Sequence, residues 1–360
     1  MTSQYTQDVV RVVSGVRPTG ELHIGNYFGA LVDLAKTSKD HTRRGFFFVA
    51  DLHALTTVAD RASIQAGTQA VVLAMLASGV DPATSYIYRQ SAVPDIAVLD
   101  QLLRNFVSVH ALTRMHHFKG KKKNLKQRGR EANLGLLGYP VLMAADILAV
   151  RAQIVPVGDD QRQHVEFARQ LARTANREIR NVFVVPDALP TKSLRIPSLT
   201  GSGKMSKSDP DGAIMLTDPN RVLARKISRT DKRGQRIGQD TAGNPLSWDQ
   251  DPGDPRKCPV YDMLRLAGNG SDMRSVGRGC RQATMPCGQC KQLTTARMQH
   301  VVGEVRERME ELRALGADHV EDILRTAERA VREDVVPLLD EVRWALGLAG
   351  PKGYHHHGGV

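Results

Sequence analysis

Apolar and polar positions along this chain switch between two periods. Residues 10–15 (Val-Arg-Val-Val-Ser-Gly) form a short β-branched run ending in small residues, the pattern of a strand entering a turn. Residues 26–36 follow with Tyr27, Ala30, Leu31 and Leu34 at helical spacing, and Phe46, Phe47, Phe48, Val49 and Ala50 then make a continuous apolar strand stopped by Asp51. A helix is predicted over 62–78 and another strand over 84–88. Near-continuous apolar strands in a β-α-β-α-β rhythm predict a parallel sheet covered by helices on both faces, a Rossmann-like doubly wound α/β domain. In such sheets ligands bind beyond the carboxyl ends of the strands.

Residues 94–150 read as almost wholly helical, interrupted by a basic stretch. The sheet rhythm resumes at 153–157 and 181–185, with a helix over 161–176 between them. Residues 229–258 are polar, and 302–314 and 318–347 are amphipathic helices dense in Glu/Arg pairs. No repeat recurs at a fixed period. The expected organisation is an α/β domain over 1–212 with a helical insertion at about 94–150, then an all-α domain over 213–349. Residues 350–360, with His355, His356 and His357, are expected to be a disordered tail.

Composition adds a partner class. With 360 residues, 41% of them apolar, the chain is long enough for two domains and a full core. Its 50 Lys and Arg against 38 Asp and Glu leave +12, which favours a polyanionic partner; a generally basic enzyme is the plainer alternative. Met1 to Val10 lacks the apolar core of a signal peptide and no run approaches a membrane span, so the chain is expected to be cytoplasmic with reduced cysteines.

Two segments carry candidate phosphate chemistry. Gly15-Val16-Arg17-Pro18-Thr19-Gly20 leads into His23-Ile24-Gly25-Asn26 at the first strand-to-helix turn. Its glycines permit close backbone approach and the helix start offers N–H groups to an anion. His23 and Asn26 can each donate to a phosphate oxygen; a capping turn with an incidental histidine is the bland alternative. Lys204-Met205-Ser206-Lys207-Ser208, flanked by Gly201, Ser202 and Gly203, is a mobile positive loop suited to a polyphosphate. Together they resemble the paired signature of class I aminoacyl-tRNA synthetases, in which ATP with Mg²⁺ activates an amino acid by in-line attack on the α-phosphorus. That chemistry needs positioning and charge stabilisation rather than a covalent nucleophile. The resemblance makes His23, Asn26, Lys204 and Lys207 the candidate catalytic residues.

Further motifs narrow the family. Asp51-Leu52-His53-Ala54-Leu55-Thr56, Tyr139-Pro140-Val141-Leu142-Met143-Ala144-Ala145-Asp146-Ile147-Leu148 and Val157-Gly158-Asp159-Asp160-Gln161-Arg162-Gln163-His164 are similar, in order, to motifs of tryptophanyl-tRNA synthetases. Asp146 stands in a strongly apolar stretch, where an unpaired carboxylate is costly. It is the expected acceptor for an indole N–H, with an ion pair to Arg151 or Arg162 as the alternative. The resemblance implies that His53, Tyr139, Met143 and Gln161 line or orient the same pocket. It also places Gly158 and Asp160 by the ribose and adenine, Ile196 by the adenine, and Lys119 and Lys121 near the γ-phosphate. Arg17, Gly25, Met205, Ser206 and Ser208 complete the expected ATP site. Val13 stands where some relatives carry an aromatic. The segment from Arg114 to Arg130 holds eight Lys/Arg and no acid, either a solvated face or an approach for the tRNA acceptor end. The implied partners are tRNA(Trp), L-tryptophan and ATP, and family analogy implies a homodimer.

Every cysteine falls within 33 positions: Cys258, Cys280, Cys287 and Cys290, the last two as C-x-x-C. Four thiolates suit tetrahedral Zn²⁺ or an iron–sulfur cluster, and spacing does not separate the two. The resemblance to synthetases that hold a [4Fe–4S] cluster in the anticodon-binding domain favours the cluster, with zinc the alternative. Three other functions stay open: a tyrosyl-type synthetase of the same fold, a small nucleotidyltransferase, and a synthetase-derived RNA-binding or regulatory protein.

Overall fold

The computed structural model describes residues 9–348, apart from 57–59, 128, 130, 192–195, 202, 208, 232 and 236–250. Five parallel strands form one sheet in the order β3-β2-β1-β4-β5: β1 (Val10–Val16), β2 (Arg43–Val49), β3 (Ser85–Arg89), β4 (Ile154–Val157) and β5 (Asp187–Pro190). β1 is central. It runs in register with β2 from Val10↔Arg43 to Val16↔Val49 and meets β4 at Val12↔Ile154. Strand order reverses direction at β1/β4, so the crevice between their carboxyl ends is where a ligand finds room.

Alternation along each strand feeds two apolar cores, one on each face. Phe46, Phe48 and Tyr88 point into one, with Leu99, Val141, Ala168, Val331 and Val335 from helices Pro94–Leu103, Leu134–Ala149, Arg162–Glu178 and Ala317–Ala345. Phe47, Val49 and Ile87 point into the other, with Val71, Leu223, Met263 and Val302 from helices Arg61–Ala77, Asn220–Ser228, Pro259–Ala267 and Cys287–Ala314. The chain after residue 213 therefore contributes to both cores.

Strands β1 to β4 and the helices fall where the periodicity predicts. The fifth strand does not. The apolar run 181–185 is not a strand; β5 forms at Asp187–Pro190 instead. Asn176 is the reason. Its Oδ1 accepts from the Val182 and Phe183 amides (3.1 and 2.8 Å) and its Nδ2 donates to the Phe183 carbonyl at 2.8 Å. Asn176 thus takes up the backbone groups of the buried Val182 and Phe183, and the sheet edge is left to the residues that follow. Residues 350–360 and Ser208 lie outside the described residues.

Candidate active site

The first turn leaves the carboxyl end of β1. Gly15 is required there, because a Cβ would stand 2.5 Å from the Phe48 ring. His23 caps the helical segment that follows: its Nδ1 accepts from the Gly25 amide at 2.9 Å, and its own amide donates to Asn26 Oδ1 at 3.1 Å. Because Nδ1 is an acceptor, the ring proton sits on Nε2, and Asn26 keeps its NH2 as a donor end. Burial, followed by the charges of Lys207 and Lys204, pushes the His23 pKa down to about 4. The imidazole is neutral at pH 7. A Cβ on Gly25 would meet the His23 ring at 2.6 Å, so this turn accepts no side chain.

The lysine loop is docked against that turn. Ile24 donates to the Ile214 carbonyl and Leu216 to the Leu22 carbonyl, both at 2.9 Å. At the loop's other end, Met205 donates to the Ile196 carbonyl and Ser198 to the Gly203 carbonyl, each at 2.9 Å. Gly201 and Gly203 take positive φ angles of 87° and 84°, the left-handed region open to glycine. Lys207 Nζ donates to Thr19 Oγ1 and the Gly20 carbonyl, both at 3.2 Å. Burial lowers the Lys207 pKa, with Glu21 opposing. Lys204 is exposed and Ser206 half-buried. The side chain of Met205 is buried and packs in the apolar core beneath the loop.

A cleft of about 400 Å³ opens at the β1/β4 crevice and gathers Arg17, His53, Lys121, Tyr139, Met143, Gly158 and Gln161 on its walls. Asp146, only 1% exposed, does not line it but meets it through His53. Its Oδ2 lies 2.9 Å from His53 Nε2, and Gln90 Nε2 donates to Oδ1 and Oδ2 at 2.7 and 2.9 Å. Neither expected arginine pairs with Asp146: Arg151 pairs with Glu341 and Arg162 with Asp159. Burial raises the Asp146 pKa, and the bonds to His53 and Gln90 work against that rise. Burial lowers Arg17, and burial with Arg17 nearby lowers Lys121. Tyr139 is raised well above the ordinary phenol by burial, so its hydroxyl keeps its proton.

Two expected residues stand elsewhere, and a third is described only in its backbone. Lys119 is exposed, outside the cleft. Ile196 packs in the apolar core and edges the neighbouring groove with Phe28 and Pro156. Asp160 has its backbone in the turn Asp159–Gln161 after β4, and its side chain lies outside the description. Val13 is a core residue, 1% exposed. Sequence reasoning missed Gln90, His117 and His164. Gln90 carried a usable signal, a polar residue directly after β3 at the carboxyl edge of the sheet.

The four cysteines line one small pocket with Gly234, Tyr261 and Val276. Cys258 precedes helix Pro259–Ala267, Cys280 sits near the end of helix Gly270–Arg281, and Cys287 and Cys290 open helix Cys287–Ala314. Burial, with the neighbouring thiols adding, pushes Cys290 up to about 12. Among the described residues no three His, Cys, Asp or Glu side chains are placed to hold a metal ion. The four thiols the spacing groups together do share one pocket, but a formed metal centre is not found among the described residues. No described helix is long and apolar enough to cross a membrane.

A nucleotide-type crevice, a neutral histidine at a helix start and a docked lysine loop define a class I synthetase core. The chain matches the family of class I tRNA synthetases (W and Y) over residues 5–300, and it belongs to that family. Within it, the chain is 34% identical to the tryptophan–tRNA ligase of Deinococcus radiodurans over 94% of its own length and 98% of the relative's. It is 35% identical to the Thermotoga maritima tryptophan–tRNA ligase over 94% and 99%. The Campylobacter jejuni tryptophanyl-tRNA synthetase, solved with ADP and tryptophan, superposes with a TM-score of 0.79 at 30% identity, covering 94% of this chain and all of that one.

Proposed function

We infer that the chain is an ATP-dependent tryptophan–tRNA ligase, the activity its relatives are named for. One observation carries the reading: Lys207 is pinned to Thr19 and Gly20 directly beside the neutral His23. In the activation step, a carboxylate oxygen of tryptophan attacks the α-phosphorus and the bond to pyrophosphate breaks. In the second, the 3′-terminal ribose hydroxyl of tRNA(Trp) attacks the carbonyl and AMP leaves. His23 Nε2–H and the Asn26 amide donate to phosphate oxygens, while Lys204 and Lys207 take up charge on the departing pyrophosphate. Mg²⁺ arrives with ATP and is held chiefly by phosphate and water.

Asp146 supplies the amino-acid specificity. His53 and Gln90 make three hydrogen bonds to Asp146, which lies behind His53, so an indole N–H takes the carboxylate's remaining lone-pair site when the His53 ring moves aside. A substrate without that donor leaves a buried acceptor short of a partner. Tyr139, Gln161, His53 and Met143 orient and enclose the substrate, and Gly158 lets the ribose approach. Pyrophosphate exchange with each standard amino acid tests this: tryptophan should be the substrate, and exchange with tyrosine alone would overturn the assignment.

We propose further that the helical region 213–349 reads the anticodon and that its four cysteines hold a [4Fe–4S] cluster with a structural role. The fit rests on the donor set, four thiols with no imidazole or carboxylate lining their pocket. Binding would displace the thiol protons and draw the sulfurs together. Lys257 and Arg278 give the region exposed positive charge for RNA. Iron and sulfide analysis after anoxic purification decides it; zinc without iron defeats the cluster. We also propose a cytoplasmic homodimer, with exposed Val98, Val109 and Leu134 as the apolar contacts. Sedimentation of the full chain checks its mass.

A further inference from the structure

Three helices meet at the Tyr139 hydroxyl. Tyr139 lies on Leu134–Ala149, His117 on the basic helix His116–Gln127, and His164 on Arg162–Glu178. His117 Nδ1 and His164 Nε2 each stand 2.6 Å from the hydroxyl oxygen. A phenol has one proton, so it donates to one ring nitrogen and accepts from the N–H of the other. His164 is 1% exposed, a fixed post inside the core. His117 lines the cleft. The residue before it is tied as well: the His116 amide donates to Gln163 Oε1 at 3.2 Å.

These two ties set the rotation of the basic helix about its axis. Lys121 is four residues beyond His117 and shares its side of the helix. Its Nζ stands 5.8 Å from the Tyr139 ring centroid, inside the cleft. Lys119, off that side, is exposed and outside. A rotation by a fraction of a turn would exchange which lysine faces the ligand.

We propose that His117 is a positioning residue: its bond to Tyr139 fixes the roll of the basic helix so that Lys121 projects at the ATP phosphates, joining the amino-acid wall to the phosphate side. The inference rests on reading the cleft as an adenylate-forming site. Tyr139 keeps its bond to His164 when His117 is lost, so tryptophan binding alone survives while ATP use suffers.

The test is tryptophan-dependent pyrophosphate exchange on the full chain, with calorimetric binding of tryptophan in the absence of ATP. His117→Ala should raise the KM for ATP about 3- to 10-fold, the range expected for one lost hydrogen bond, with the tryptophan Kd within about twofold of wild type. His117→Gln, whose amide both donates and accepts, should restore most of the loss. Should the alanine variant unfold early, His117→Phe, which keeps a ring without the ring nitrogens, carries the same comparison. Unchanged ATP kinetics, an equal loss for both substrates, or a glutamine variant no better than alanine would each overturn the proposal. A wild type that exchanges no tryptophan overturns the functional reading and this inference with it. An active wild type with an unaffected His117→Ala overturns this inference alone.

Discussion

At the scale of single residues, the site depends on two buried groups, His23 and Asp146. His23 stays neutral because burial and two lysines oppose its protonation, down to about pH 4. Its folded pKa lies below the ordinary value of about 6.5, so the unfolded chain binds the extra proton first. Its contribution to stability is complete above pH 6.5 and is lost as the pH falls toward 4. Denaturant midpoints of wild type and His23→Asn should therefore converge on acidification across that window. A constant difference between them would contradict the assignment. Asp146 is the second group. Removing its carboxylate in Asp146→Ala leaves the buried Gln90 amide without its acceptor, costing about 1–3 kcal/mol in stability by urea denaturation. Asp146→Asn keeps the shape but offers one acceptor oxygen in place of two. The KM for tryptophan should rise about tenfold or more while the KM for ATP moves little. Comparable rises in both would place Asp146 outside amino-acid recognition.

At the scale of elements, periodicity located β1 to β4 and misplaced β5, one of the two edge strands. The run 181–185 has the composition of a strand, yet Val182 and Phe183 within it bond the Asn176 side chain of the preceding helix. A side-chain clamp of this kind leaves no trace in the apolar spacing. The same limit hid His117 and His164, whose meaning appears only when three helices meet. Asp146 was readable because a carboxylate inside an apolar helix stands out against its neighbours, and Lys207 because a glycine-flanked lysine pair does. The clamp is itself testable. Asn176→Ala breaks three hydrogen bonds and leaves the amide of the buried Phe183 short of its partner, while the Val182 amide keeps the Arg180 carbonyl. Unfolding should come about 1–3 kcal/mol earlier, and exchange at Phe183 should quicken in hydrogen–deuterium measurements. Asn176→Asp, which keeps the acceptor for the two amides, should recover part of the loss.

At the scale of the whole molecule, the last helix belongs to the sheet's own core as much as to the helical region that precedes it. Ala317–Ala345 buries Val331, Val335 and Leu338 against the face that carries Phe46, Phe48 and Tyr88. Charged pairs fasten it around that contact. Arg89 at the end of β3 bonds Glu328 at 2.6 Å and Glu321 at 2.9 Å, Arg332 reaches Asp95 at 2.9 Å, and Arg11 on β1 holds Asp334. Partly exposed pairs of this kind contribute about 0–1 kcal/mol each, so they orient the helix while burial supplies most of the stabilisation. Val331, Val335, Leu338 and Val342 are each at most 1% exposed. Removing four such side chains forfeits about 1.5–3 kcal/mol apiece, a sum on the order of a domain's entire net stability. A chain ended at residue 316 should therefore fail to melt cooperatively and lose tryptophan-dependent exchange, although it keeps His23, Asp146 and both loop lysines. The full chain carrying Arg89→Met should instead melt cooperatively within a few degrees of wild type. If the shortened chain unfolded cooperatively and still formed the adenylate, the last helix would be an appended module and not the cover of the catalytic sheet.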